Sequence, residues 1–275
     1  MSTKGKKIFM IPQMSISRLT LALSLLTVLI SLTSIPAPAQ TPPSDLDYSA
    51  DKWHDAASPY LWLAGMNGSV AYGGHSVQVN QSFTDIFSNL KFGVMGLNDV
   101  NRGPLSLLTD VMYVRLGNES AIPIQGLPSA LNVNVSLDTF TLTQYLGYRL
   151  FGRKRAAIHL LTGVRYYHTG SSINASIPSA SVSYPASDNW VDYVEGARFQ
   201  LQLTRRITAF VLGDVGGGGS VLSYNFVGGA GYDWSKKWST SLAYRRLYYH
   251  RQTDSGLNIE PTQQGLVLGA TYRFR

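Results

Sequence analysis

Gly265–Arg275 reads G-L-V-L-G-A-T-Y-R-F-R. Its alternation puts Leu266, Leu268, Ala270, Tyr272 and Phe274 on one face and Gly265, Val267, Gly269, Thr271 and Arg273 on the other. A period of two is that of an extended strand, because successive side chains leave a strand on opposite sides. One face is apolar and ends in aromatics; the other carries glycine, threonine and arginine. This division suits a strand with hydrocarbon on one side and a polar lumen on the other. It predicts an all-β chain folded as an antiparallel up-and-down transmembrane β-barrel.

Composition agrees. Charged residues make up 14% of the 275, against about 25% in ordinary soluble domains. Tyr (16) and Gly (26) are abundant and the mean hydropathy is near zero, as expected where apolar and polar faces cancel. Cysteine is absent, which excludes disulfides, thiolate metal sites, cysteine nucleophiles and an acylated-cysteine anchor. The net charge of +7 owes four units to Lys4, Lys6, Lys7 and Arg18; the remainder has 19 basic against 16 acidic residues and no basic stripe. Nucleic acid is therefore not an expected partner.

The first 39 residues follow another logic. Residues 1–18 are basic, Leu19–Ile35 are mostly apolar, and Ala37-Pro38-Ala39 supplies small residues at the A-x-A spacing. That is the three-part pattern of a secretory signal peptide, with cleavage expected after Ala39. Thr20, Ser24, Thr27, Ser31, Thr33 and Ser34 make the apolar run too short and polar for a membrane helix of about 20 residues. Pro42 and Pro43 then lead into a flexible mature N-terminus, residues 40–52, ahead of a barrel domain at 53–275. An exported barrel of this kind belongs in the outer membrane of a Gram-negative-type cell.

Alternating segments recur from Trp53 onward: 57–66, 91–100, 105–117, 138–150, 156–168, 189–203, 207–216, 221–232, 238–250 and 264–275. Short turns, such as Asn101-Arg102-Gly103-Pro104, alternate with Ser/Asn/Gly/Pro-rich connections at 67–90, 118–137, 169–188 and 251–263. The count is ten strands, an even number that returns both ends to the periplasm. If Gly216-Gly217-Gly218-Gly219 lies inside a strand, the count becomes eight. By parity Phe140, Leu142, Leu146, Tyr148 and Leu150 face lipid, while Thr139, Thr141, Thr143, Tyr145 and Arg149 face the lumen. Glu195 falls on the lipid face, which requires either a β-bulge or a position near an interface. Within 67–90, Gly73-Gly74 predicts a hairpin, and Thr84 is expected to cap a short helix with Phe83, Ile86, Phe87 and Leu90 on one side, packed over the barrel mouth.

The closing segment resembles the C-terminal signal by which the outer-membrane assembly machinery recognises its clients, with Gly269, Tyr272 and Phe274 matching and Arg275 as one extra residue. Residues 53–275 resemble the small outer-membrane β-barrel proteins related to opacity and adhesin-like surface antigens. The segments that carry this likeness are Ser58–Leu63, Phe92–Gly96 and Ala243–Leu247. The resemblance implies outer-membrane lipids and the assembly machinery as partners; no sequence feature names a surface partner.

Parity gives a lumen charge set of Asp110, Arg149, Arg165, Asp192, Arg198, Asp214, Arg245 and Arg273. Such charges either pair across strands and fill a narrow barrel, or form a constriction selecting ions or small solutes. The first reading is preferred for so few strands. Arg115 and Arg246 fall on the outer face toward the external strand ends, where guanidinium groups can bind phosphates of lipopolysaccharide. His168 and His250 lie at external strand ends near Asp188, Asp192 and Asp254. Outer-membrane proteases of the omptin type also use Asp and His at the rim, but no Asp-x-His or paired-Asp motif appears here. Barrel lipid-A deacylases use His-x-Ser, and His168-Thr169-Gly170-Ser171 is one residue too long. No phosphate loop, zinc spacing or dinucleotide fingerprint is present, so no cofactor is expected. The expected role is non-enzymatic, structural or surface-interacting, with a narrow channel and a rim hydrolase as the alternatives. Deleting Arg275 is expected to leave membrane insertion unchanged or improved, read from the yield of heat-modifiable barrel in outer-membrane fractions.

Overall fold

The computed structural model describes residues 52–123, 130–153, 155–177 and 180–274. The expected signal peptide, the mature segment up to residue 51, and Arg275 lie outside the described residues. The elements are β1 (His54–Tyr72), β2 (His75–Gln81), a short helix α1 (Phe83–Ser88), β3 (Leu90–Arg102), β4 (Leu105–Pro123), β5 (Ala130–Arg153), β6 (Ala156–Ile177), β7 (Ala180–Gln202), β8 (Ile207–Gly218), β9 (Leu222–Asp233), β10 (Trp238–Gln252) and β11 (Asn258–Arg273).

Each of β3 to β11 pairs antiparallel with its sequence neighbour, and β1 closes the ring on β11 from Ala56↔Arg273 to Ala71↔Asn258. The barrel therefore has ten strands, and β2 is a hairpin arm folded back on β1 across Gly73 and Gly74, both at positive φ. The eight-strand alternative is excluded. Gly216, Gly217 and Gly218 complete β8, and the chain turns after Gly218 (φ 130°), whose amide donates to Ser220 O at 2.9 Å.

The two faces separate as the alternation predicts. Thr141, Thr143, Tyr145, His159, Arg165 and Tyr167 are buried inside, while Leu146, Tyr148, Leu150, Leu160, Val164 and Leu266 stand exposed on the outer wall. An apolar belt of this extent is a hydrocarbon contact surface. Aromatic pairs edge it externally, with Phe92–Tyr113 at 5.9 Å, Phe140–Tyr166 at 6.0 Å and Tyr224–Tyr248 at 5.0 Å. On the periplasmic side Trp238–Tyr272 at 4.8 Å and Tyr272–Phe274 at 5.0 Å do the same. Glu195 lies on the outer wall with no register shift in β7. It sits just below the external girdle, where the Tyr193 hydroxyl donates to it and Thr162 Oγ1 donates at 3.1 Å.

Two expected loops are strands. Residues 118–137 and 169–188 mostly continue the ladders of β4–β7 outward, with pairs such as Asn134↔Asn174 and Ser172↔Pro185. A membrane crossing needs only about 9–11 residues, yet β5 has 24, β6 22 and β7 23. Beyond the bilayer both faces of a sheet meet water, so the apolar alternation that announces a strand disappears while the backbone pairing continues.

The helix cap also differs from expectation. Ser82, not Thr84, is the N-cap: its Oγ accepts from the Asp85 amide at 3.2 Å, and Asp85 Oδ2 accepts from the Ser82 amide at 2.9 Å. The Ser82 hydroxyl, donating to Asp85 Oδ2 at 2.6 Å, and then the Ser82 amide hold the Asp85 carboxyl below its ordinary value, so the cap is lost as pH falls through the acid range. α1 packs against β1 and β2, with Phe87 exposed, rather than burying its apolar side. Below it the wall is incomplete. β1 pairs β3 only from His54 to Pro59, and β2 only from Met66 onward, so Tyr60–Gly65 and Leu90–Met95 face each other without a ladder.

Gly163 faces the lumen, and a Cβ there would lie 2.1 Å from the Gln144 carbonyl oxygen. Gly163→Val is expected to abolish the heat-modifiable folded band on gels, whereas Gly96→Ala, with nothing within 4 Å, leaves it intact.

Candidate functional site: a plugged lumen above a periplasmic vestibule

The alternation of β4, β5, β6, β8, β9, β10 and β1 sends a polar side chain from each, and two from β5, toward a common level in the lumen. Arg165 is fully buried; its Nη2 donates to Asp214 Oδ1 and Oδ2 at 2.9 and 2.8 Å and to Tyr145 OH at 2.8 Å, and its Nε donates to Thr143 Oγ1 at 2.9 Å. Asp214 also accepts from Tyr145 OH at 2.6 Å and from Asn225 Nδ2 at 3.0 Å. Asn225 Oδ1 accepts from Arg245 Nε at 3.0 Å. Arg245 continues the network through Nη2 to Asp110 Oδ2 at 2.7 Å and through Nη1 to Tyr60 OH at 2.9 Å, and Tyr60 OH donates to Asp110 Oδ1 at 2.6 Å. Every charge in this layer has a counter-charge and further hydrogen bonds, the condition under which buried ions are tolerated.

Nearer the periplasm Arg198 pairs with Asp99 at 2.5 Å and Arg273 with Asp233 at 2.7 Å. Above the charge layer Tyr167, Trp190 and Tyr249 pack ring on ring with centroids 4.8–5.3 Å apart. Arg251 lies 5.4 Å over Trp190 and is fixed by Asp188 at 2.9 Å and by the Gly219 carbonyl at 2.6 Å. Charged pairs below and stacked rings above fill the outer half of the lumen. Below them a cavity of about 280 Å³ extends to the periplasmic strand ends, lined among others by Leu97, Asp99, Phe210, Val227, Asp233 and Arg273.

Of the eight charges placed inside by parity, Asp110, Arg165, Asp214 and Arg245 form one network, and Arg198 and Arg273 stand in the vestibule. Two stand outside both the network and the vestibule. Asp192 is fully buried but forms no ion pair among the described residues; its Oδ1 accepts from the Ser220 amide at 2.6 Å, tying β7 to the β8–β9 turn. Arg149 sits at the periplasmic end beside the register shift of β5 and is not part of the central layer. Asp99, Asp233, Tyr60, Tyr145 and Asn225 complete the pairs; of these, parity alone had placed Tyr145 in the lumen, and the same signal was available for Asp99, which shares its parity with Met95 and Leu97.

On the outer wall, Arg115 Nε already bonds Asp138 Oδ1 at 3.0 Å, and Arg246 is exposed. Gly269 pairs with Tyr60 and Ser241, where a Cβ would lie 2.6 Å from Ser241 Oγ, and Tyr272 and Phe274 belong to the periplasmic girdle. The rim histidines do not meet aspartates: His168 Nδ1 contacts Asn189 Oδ1 at 2.6 Å, and His250 Nε2 contacts Asn258 Oδ1 at 2.8 Å and Glu260 at 3.4 Å. Among the described residues no cluster of three His, Cys, Asp or Glu could hold a metal ion.

Asp214→Ala leaves Arg165 buried without its counter-ion and is expected to cost about 3–5 kcal/mol. Arg165→Met combined with Asp214→Leu is expected to recover most of that loss. Urea unfolding of vesicle-inserted protein, followed by tryptophan fluorescence, checks both.

No protein-family model matches the chain, and no curated protein matches it in sequence. Solved structures similar to it are membrane barrels at low identity. The outer membrane protease OmpT from Escherichia coli is 10% identical over 86% of this chain and 99% of that one, with a TM-score of 0.47. The translocator domain of the autotransporter NalP from Neisseria meningitidis is 12% identical over 94% and 96%, with a TM-score of 0.41. The attachment invasion locus protein Ail of Yersinia pestis, solved with sucrose octasulfate, is 11% identical over 81% and 98%, with a TM-score of 0.36.

Proposed function

We propose that this outer-membrane barrel is a non-enzymatic surface-interaction protein whose working part is the raised sheet formed by the outer reaches of β4–β7. The observation that supports this reading is the contrast between a lumen filled by paired charges and stacked rings and a wall that climbs farthest past the external girdle along β4–β7. A conducting role calls for a water-wide path, and a rim hydrolase calls for a nucleophile or activated water held by a base; the rim histidines instead contact Asn189 and Asn258. The raised sheet offers what recognition needs: a paired frame and, beyond Gly117 in β4 and before Val191 in β7, open backbone edges. On the outer wall, exposed Arg246 is the residue we assign to a lipopolysaccharide phosphate, between Tyr244 and the Tyr224–Tyr248 stack.

Replacing 118–135 and 171–186 with short turns is expected to leave the heat-modifiable barrel intact and to reduce retention of protein-bearing cells on epithelial monolayers to the level of cells lacking the protein. Unchanged retention would sink the proposal, as would steady single-channel conductance of the intact protein in planar bilayers.

A further inference from the structure

The interrupted ladder between β1 and β3 carries a second inference, independent of the raised sheet. The geometry points to a lateral site in the barrel wall that takes one acyl chain of a membrane lipid from the outer leaflet. At Tyr60–Gly65 and Leu90–Met95 the two strands have lost each other as partners, though each keeps its ladder on the far side. Six residues of strand span roughly 20 Å. The height is fixed by cross-strand register: Val94 lies opposite Tyr113 of the external girdle, and Leu61 opposite Leu268 in the apolar belt. The gap thus runs from the external interface down into hydrocarbon. An open backbone edge at that depth is strongly unfavourable unless something covers it.

The surroundings are built for an apolar occupant. Outside, Leu61, Phe87, Phe92 and Val94 are all more than half exposed and frame the gap. Inside, Trp62 and Met112 are buried and Met95 packs with them. The barrel domain has three methionines, Met66, Met95 and Met112, and all three lie on the lumenal faces of β1, β3 and β4 behind this gap. Methionine is the side chain best able to repack around a guest of variable shape. The Trp62 ring, with the Arg245 guanidinium 5.0 Å over it, forms the lumenal back of the gap, and its indole Nε1 is buried with no acceptor. Room for the tail lies directly below: Tyr60, one residue past the last β1–β3 pair on β1, and Leu97, paired with Ser58 at the top of that ladder, line the vestibule. At the top, α1 crosses the gap, with Gly65 set against the Gln81 carbonyl and the Phe83 amide.

The placement of the methionines supplies the test without altering the fold. The chain is produced with photo-methionine, its near-isosteric diazirine analogue, and inserted into dioleoylphosphatidylcholine vesicles. After irradiation, adducts are mapped by peptide mass spectrometry. A Leu161→Met variant supplies a control, because Leu161 is equally buried but stands behind the continuous β5–β6–β7 wall. Lipid adducts at Met95 and Met112, at least tenfold above those at position 161, are the expected result. Absence of lipid adducts at Met95 and Met112 overturns the proposal, and so does equal labelling at 161. Should the control variant fail to fold, Val194→Met on β7 replaces it, fully buried behind the same wall.

Discussion

A peptide group in hydrocarbon has no water to bond, and this one constraint organises the molecule. It makes closure of β1 on β11 obligatory, because a sheet left open would present a row of unpaired amides to lipid. Closure fixes the alternation of every strand, and alternation decides which residues fill the lumen. Ten strands enclose a space that side chains can fill, so the arginines and aspartates sent inward meet one another instead of water. The arginine–aspartate layer is thus a product of the wall, and its hydrogen bonds across seven strands brace that wall in return.

That bracing explains the division of the interior. Tyr60 and Tyr145 each donate to the aspartate and accept from the arginine of one ion pair, and Asn225 joins the two pairs, donating to Asp214 and accepting from Arg245. The rings of Tyr167, Trp190 and Tyr249 then close the space where the barrel meets the outside. Toward the periplasm, pairs such as Arg273–Asp233 line the wall without spanning it, and the vestibule remains.

The alternation in Gly265–Arg275 was enough to read the fold and the facing of most lumen residues, because hydrocarbon imposes a sharp apolar–polar contrast on each strand. Where that contrast ends, the reading ends too. Residues 118–137 and 169–188 lose their alternation because water meets both faces, although their pairing runs on. Ser82 was missed as the cap because Thr84, two residues later, has the same capping chemistry and only backbone geometry separates them. Arginine–aspartate partners were not legible, since parity places a side chain on a face but not at a height. Asp192 shows the limit most clearly: its parity is that of a partnered charge, yet its bond goes to a backbone amide in a turn. The break between β1 and β3 left no mark at all, for both strands alternate well on either side of it.

The outward continuation of β4–β7 has a thermodynamic consequence. A recognition surface made of loops must be ordered when a partner arrives, and the entropy lost then weakens the complex. Here the backbone is already ordered by ladder bonds that depend on no particular side chain. The cost of ordering the frame has been met in folding, before any encounter. The same independence lets the side chains on both faces change without loosening the frame, so one scaffold can present many different surfaces at nearly constant stability.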